Sequence, residues 1–163
     1  MDHYLRDLQL LSLLITANGM PILARKWFGA RWARAIDGGR RAWDGRPWLG
    51  ASKTWRGLLA ALAVTPVMAL LLGLEARLGL LIALGAMAGD LGSSFLKRRL
   101  GIQPSGQALL LDQVPEALLP LLLVAPMLQL ALLDILVLVL AFVLLELLLS
   151  RILYALNIRR RPY

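Results

Sequence analysis

From Glu116 to Leu156 the chain reads EALLPLLLVAPMLQLALLDILVLVLAFVLLELLLSRILYAL. A helix crosses the hydrocarbon core of a bilayer with about 20 apolar residues, so this stretch is too long for one span. It reads as a helical hairpin that turns between Leu128 and Asp134, with spans over about 116–130 and 134–156. Asp134 is the expected N-cap of the second. Three more apolar segments precede it. One runs from about Tyr4 to Ala24, broken by Asn18, Gly19 and Pro21; the others run over 57–74 and 78–96, joined by a tight turn at Glu75-Ala76-Arg77. Composition agrees: 59% of the 163 residues are hydrophobic and mean hydropathy is +0.69, more apolar surface than a soluble domain of this length hides.

The fold class read from this pattern is all-α: a polytopic integral membrane protein with five transmembrane helices in a single domain over 1–163. The basic residues give it an orientation. Nine Lys/Arg fall in the loop 25–56, the loop 97–115 opens with Lys97-Arg98-Arg99, and the tail carries Arg159-Arg160-Arg161. Five spans put all three on one side. That side is expected to be cytoplasmic, in the inner membrane of the cell, with the N-terminus outside. The first span has no basic leader and no Ala-x-Ala site, so it is expected to stay as a span and not to be cleaved. The five tryptophans all lie in the first loop, and Phe28, Trp32 and Ile36 recur at helical spacing among Arg25, Lys26, Arg31 and Arg34. A short interfacial amphipathic helix is expected there. Gly85-x-x-x-Gly89 suits close helix packing.

Net charge is +8, with no cysteine and His3 as the single histidine. These facts exclude Cys or His metal sites, disulfides and a Ser-His-Asp triad. Because the cations sit between spans, the expected partners are anionic headgroups and phosphate substrates, not nucleic acid. On a helix, Asp90, Ser94 and Lys97 fall at i, i+4 and i+7, so one face presents carboxylate, hydroxyl and ammonium. A carboxylate within a span costs about 2.5–3.5 kcal/mol on insertion scales and faces a polar cavity as a rule; the competing reading is a packing pair with Lys97 or Arg98. A Gly/Pro-containing loop, Gly101-Ile102-Gln103-Pro104-Ser105-Gly106-Gln107, then leads to Asp112 and Glu116 and can return Asp112 towards Asp90. Carboxylates and cations without His or Cys favour Mg²⁺ and a polyphosphate. Glu116 also reads simply as a first-turn acid on a helix dipole. Gly50-Ala51-Ser52-Lys53-Thr54-Trp55-Arg56-Gly57, at the start of a span, is a glycine-bearing segment with cations at a helix N-terminus, suited to phosphate.

Taken together, these motifs resemble the CDP-archaeol synthase family, relatives of the CDP-diacylglycerol synthases. The matching residues are Ala17-Asn18-Gly19-Met20-Pro21, Ile36-Asp37-Gly38-Gly39, Asp44-Gly45-Arg46, Lys53-Thr54-Trp55-Arg56-Gly57, Gly89-Asp90 through Ser94 to Ile102, and Leu111-Asp112-Gln113. They stand in family order over nearly the whole chain. The resemblance implies transfer of a cytidylyl group from CTP to a lipid phosphate, giving a CDP-lipid and pyrophosphate with Mg²⁺. Asp90 and Asp112, with Glu116, would hold the metal, and Lys53, Arg56, Lys97 and Arg98 would hold phosphates. Asn18, Asp37, Gly38, Asp44 and Ser94 would be further residues of the binding pocket. In one place the chain departs from the family's pattern: a second carboxylate is expected three residues after Asp112, where this chain has Pro115 followed by Glu116. The alternative is therefore a diverged, non-catalytic lipid-binding or scaffolding protein of the same fold. A CDP-alcohol phosphotransferase is excluded because its Asp-x-x-Asp-Gly-x-x-Ala-Arg opening is absent. A transporter is disfavoured because no repeat is visible.

Overall fold

The computed structural model describes residues 3–103, 106, 108 and 110–156. The basic tail and Pro104, Ser105 and Gln107 lie outside the described residues. Five helices follow in order: α1 (His3–Phe28), α2 (Trp55–Leu71), α3 (Ala76–Arg99), α4 (Gln113–Leu128) and α5 (Leu132–Ala155). Helices α1, α3 and α5 are long and apolar enough to cross a bilayer, while α2 and α4 have 17 and 16 residues. At about 1.5 Å per residue the two short helices reach roughly 25 Å, just under a hydrocarbon core of about 30 Å. The outward faces of α2 and α5 carry exposed Leu59, Val67, Leu70, Leu136, Leu140 and Leu144. That is a surface suited to lipid tails and costly in water.

α1 touches all four other helices, and α3 lies between α2 and α4. Leu13 and Leu14 of α1, Ile82 of α3, Leu121 of α4 and Phe142 of α5 are fully buried in one apolar core. Small residues let the backbones meet. A Cβ on Gly57 would lie 3.0 Å from Cβ of Pro21, one on Gly79 2.8 Å from Cα of Pro66, and one on Gly85 2.5 Å from Cα of Pro120. At Gly89 it would lie 2.5 Å from the carbonyl carbon of Pro115. Each close approach thus pairs a glycine with a proline, and Gly85 and Gly89 seat α3 on α4 as their spacing predicts.

Three local readings of the sequence are corrected. α1 is not broken at Asn18-Gly19-Pro21. Pro21 removes one backbone donor, but α2 holds the helix from outside, with Gly57 leaving room for the ring. No amphipathic helix extends over the Trp32 segment. Gly29 takes a left-handed conformation (φ 57°) and its N–H bonds back to the Arg25 carbonyl, ending α1, and Trp32 is also left-handed (φ 54°). Asp134 is not the N-cap of α5 but its third residue. From there its Oδ2 accepts the N–H of the N-cap Ala131 at 3.1 Å and pairs with Arg6 of α1 at 3.2 Å. In addition, α4 begins at Gln113, so Pro115 stands in its first turn, where a missing N–H leaves no intrahelical bond unmade.

Candidate active site

The helix ends Phe28, Trp55, Arg99 and Gln113 lie at one end of the bundle, together with the loop 29–54. Two short backbone pairings fold that loop, Ala35 with Thr54 and Arg41 with Pro47. Ile36 N–H donates to the Lys53 carbonyl at 2.9 Å, and Thr54 caps α2 by accepting from Gly57 N–H. Lys53 is thereby fixed at the mouth of α2 and forms an ion pair with Asp90 of α3. The Gly89–Pro115 contact sets the neighbouring residues side by side, so that Glu116 lies within hydrogen-bonding reach of Asp90.

A second pair stands close by. Nζ of Lys97, a buried residue, is 2.6 Å from Oδ1 of Asp112, and it donates to the Gly106 carbonyl at 3.2 Å. Ser94 is buried on α3 between Asp90 and Lys97. Arg98 is buried too; its Nη2 donates to the Gln103 carbonyl at 3.1 Å, while Nε and Nη1 have no hydrogen-bond partner. The pairs share one field: burial works against the Lys53 ammonium, but Asp90, Glu116 and Asp112 outweigh it and hold its pKa above the usual lysine value. Lys53, Asp90, Glu116, Lys97, Asp112 and Arg98 are thus brought together. Asp90 pairs with Lys53 and not with Lys97, about two turns along its own helix.

Other sequence candidates lie elsewhere or are otherwise engaged. Asp37 accepts from Gly39 N–H through Oδ1 and from Leu49 and Gly50 N–H through Oδ2 at 2.8–2.9 Å. Burial pushes its carboxyl up, but these three backbone bonds outweigh it and hold its pKa below the usual aspartate value. Gly38 is the left-handed turn residue beside it (φ 58°). Asp44 Oδ1 accepts from Arg99 at 2.5 Å and from Arg46 N–H at 3.0 Å. Arg46 in return donates to the Arg98 and Arg99 carbonyls that end α3, and Arg99 lies over the Trp43 and Phe95 rings. Asp44 is therefore part of a latch between loop and helix. Asn18 donates to the Leu14 carbonyl within α1. Arg56 Nη1 donates to the carbonyls of Gly29 and Arg31. The metal set Asp90, Asp112 and Glu116 is not gathered as one group. Among the described residues no three acids or histidines stand close enough to share an ion, because Asp112 is drawn to Lys97.

The sequence reading missed Glu146. It sits on α5 and contributes to the field at Glu116. A lone carboxylate inside an apolar span was the available signal.

Against known proteins, the profile of the family described as CarS-like CDP-archaeol synthase matches residues 13–163. The chain belongs to the CDP-archaeol synthase family. It is 42% identical over 106 residues to the CDP-archaeol synthase of Hyperthermus butylicus, covering 61% of this chain and 60% of that protein. With the Aeropyrum pernix CDP-archaeol synthase the figures are 41% over 119 residues, 69% of this chain and 65% of the relative. The aligned stretch thus spans under two thirds of these relatives' lengths. A solved structure, described as an intramembrane enzyme for archaeal membrane lipid biosynthesis, superposes with a TM-score of 0.75 at 34% identity. It covers 87% of this chain and 90% of that one. The chain therefore shares its fold with a solved intramembrane enzyme.

Proposed function

We propose that this family member is a membrane cytidylyltransferase that moves CMP from CTP to a lipid phosphate, archaetidic- or phosphatidic-acid-like, releasing pyrophosphate. The observation that carries the reading is the Asp90–Glu116 carboxyl pair, set at the α3–α4 crossing with Lys53 paired to Asp90 and the Lys97–Asp112 pair close by. Mg²⁺ is commonly held by one or two carboxylates together with substrate phosphates, and this oxygen-only donor set fits it. Asp90 and Glu116 would hold the ion, and bound there it supplies charge neutralisation and polarisation of the α-phosphate. Glu116 then takes the place of the carboxylate that Pro115 displaces.

In the transfer, a lipid phosphate oxygen forms a bond to the α-phosphorus as the bond to the β-phosphate oxygen breaks. No protein nucleophile is required. Lys53 and Lys97 offer ammonium groups to the triphosphate, and the unpartnered Nε and Nη1 of Arg98 are donors for phosphate oxygens. Asp112 orients Lys97. The site faces the cytoplasm, where CTP is available, with the N-terminus outside, in keeping with the excess of basic residues in loop 29–54.

Pyrophosphate release by the purified protein in detergent tests the proposal, with Mg²⁺, CTP against other nucleotides, and diacyl against diether lipid phosphates. Lipid-dependent, CTP-selective release that is lost in Asp90→Ala is expected. Folded protein that releases none with any lipid would instead favour a non-catalytic lipid-binding role.

A further inference from the structure

On the membrane flank of α1 and α2, outside the carboxylate site, lies a groove of about 710 Å³. This is within the range of about 300–1,000 Å³ common for small-molecule sites. Its walls are apolar: Phe28 and Trp32, whose rings are 5.3 Å apart, face Trp55, Leu59 and Ala60. Two cations, Arg34 and Arg56, complete the lining. Arg56 is buried, held by the Gly29 and Arg31 carbonyls at 2.8 Å, and its Nε has no hydrogen-bond partner. Among the described residues Arg6, Lys53, Lys97 and Arg99 each pair with a carboxylate; Arg34 and Arg56 do not.

We infer that this groove docks a phosphate-headed bilayer lipid, with a chain along Trp55 and Leu59 and its phosphate at Arg34 and Arg56. Two features identify the occupant. The groove shares Leu59 with the exposed Leu59–Val67–Leu70 stripe of α2, a surface suited to lipid tails and costly in water. Its two cations without a counter-acid complement an anionic phosphate, and a neutral headgroup would leave their charge unmatched. The inference rests on the proposed transfer for its purpose: the lipid held here is the acceptor. Arg56 stands three residues after Lys53, so the groove's buried cation and the ion-pair partner of Asp90 both stand at the mouth of α2.

The test titrates chain-brominated phosphatidic acid, and brominated phosphatidylcholine as a neutral control, into the protein in uncharged detergent, and reads quenching of tryptophan fluorescence. Tighter quenching by the phosphatidic acid is expected. Arg34→Gln, at an exposed position, should weaken that half-saturation by about tenfold and leave the phosphatidylcholine curve unchanged. Ala60→Phe, which fills the groove, should weaken quenching by both lipids and raise the KM for lipid phosphate without changing that for CTP. Equal quenching by both lipids, or no effect of either variant, overturns the inference. Selective quenching without pyrophosphate release would leave the groove standing and sink the transferase reading; release with unselective quenching would do the reverse.

Discussion

The acids of the loop 29–54 and the acids of the α3–α4 crossing are the same kinds of side chain put to opposite use. Asp37 saturates both oxygens on backbone N–H groups of its own loop, and Asp44 ties that loop to Arg99. Both are engaged within the protein itself. Asp90 and Glu116 instead stand against one another, with Lys53 beside them. Two carboxyls at such range repel unless a proton or cation lies between them. The difference teaches that an acid's function here depends on whether its neighbours are donors or other acids.

The sharpest way to break this contrast is Asp90→Ala. It should reduce lipid-dependent pyrophosphate release by about 100-fold or more, whereas Asp44→Asn should keep it within about threefold. Equal losses in the two variants would erase the distinction. Glu116→Gln comes next. It should raise the Mg²⁺ concentration for half-maximal activity by at least about tenfold, and an unchanged Mg²⁺ curve would remove Glu116 from the metal. A packing pair sharpens the role of the crossing. Gly89→Ala and Gly79→Ala each force a Cβ against a neighbouring helix and should cost about 1–3 kcal/mol in stability. Only Gly89→Ala should also depress activity, because it alone separates Asp90 from Glu116.

The latch is expected to be worth less. Arg99→Gln and Asp44→Asn should each lower stability by about 1 kcal/mol, and the double variant should fall short of their sum, since both remove the same bond. The smallest effect belongs to Asp37. Its carboxyl pKa is lower folded than unfolded, so its contribution is full above the ordinary value of 3.8 and is lost as pH falls through the depressed folded value. The melting advantage of the natural protein over Asp37→Asn should therefore be constant near neutrality and shrink only below about pH 4. A difference that grew on acidification would contradict the hydrogen-bond assignment.

The site was partly legible because its residues are costly in a membrane. Asp90 and Lys97 stand out within or beside an apolar run, and the basic segments around Lys53 and Arg98 mark one end of the bundle. Glu146 carried the same signal and was overlooked. Asp37 and Asp44 were pointed to by the resemblance alone, and the backbone N–H groups and the Arg99 guanidinium that they accept from are visible only in the structure. α4 begins three residues before the apolar span read from Glu116, with Pro115 in its first turn, where it breaks nothing.

The sequence by itself determined the number and order of the helices, the apolar faces and the end at which charge collects. Hydropathy adds up locally along the chain, and about 20 apolar residues need no distant partner to become a helix in lipid. Only the tertiary structure decided which charges meet. Lys53 finds Asp90 across 37 positions because the loop pairing fixes one and α3 carries the other. Glu116 finds Asp90 because glycine at position 89 lets two helix backbones approach until Pro115 touches it. Such contacts depend on where one helix crosses another, and that register is set by steric fit between surfaces far apart in the chain.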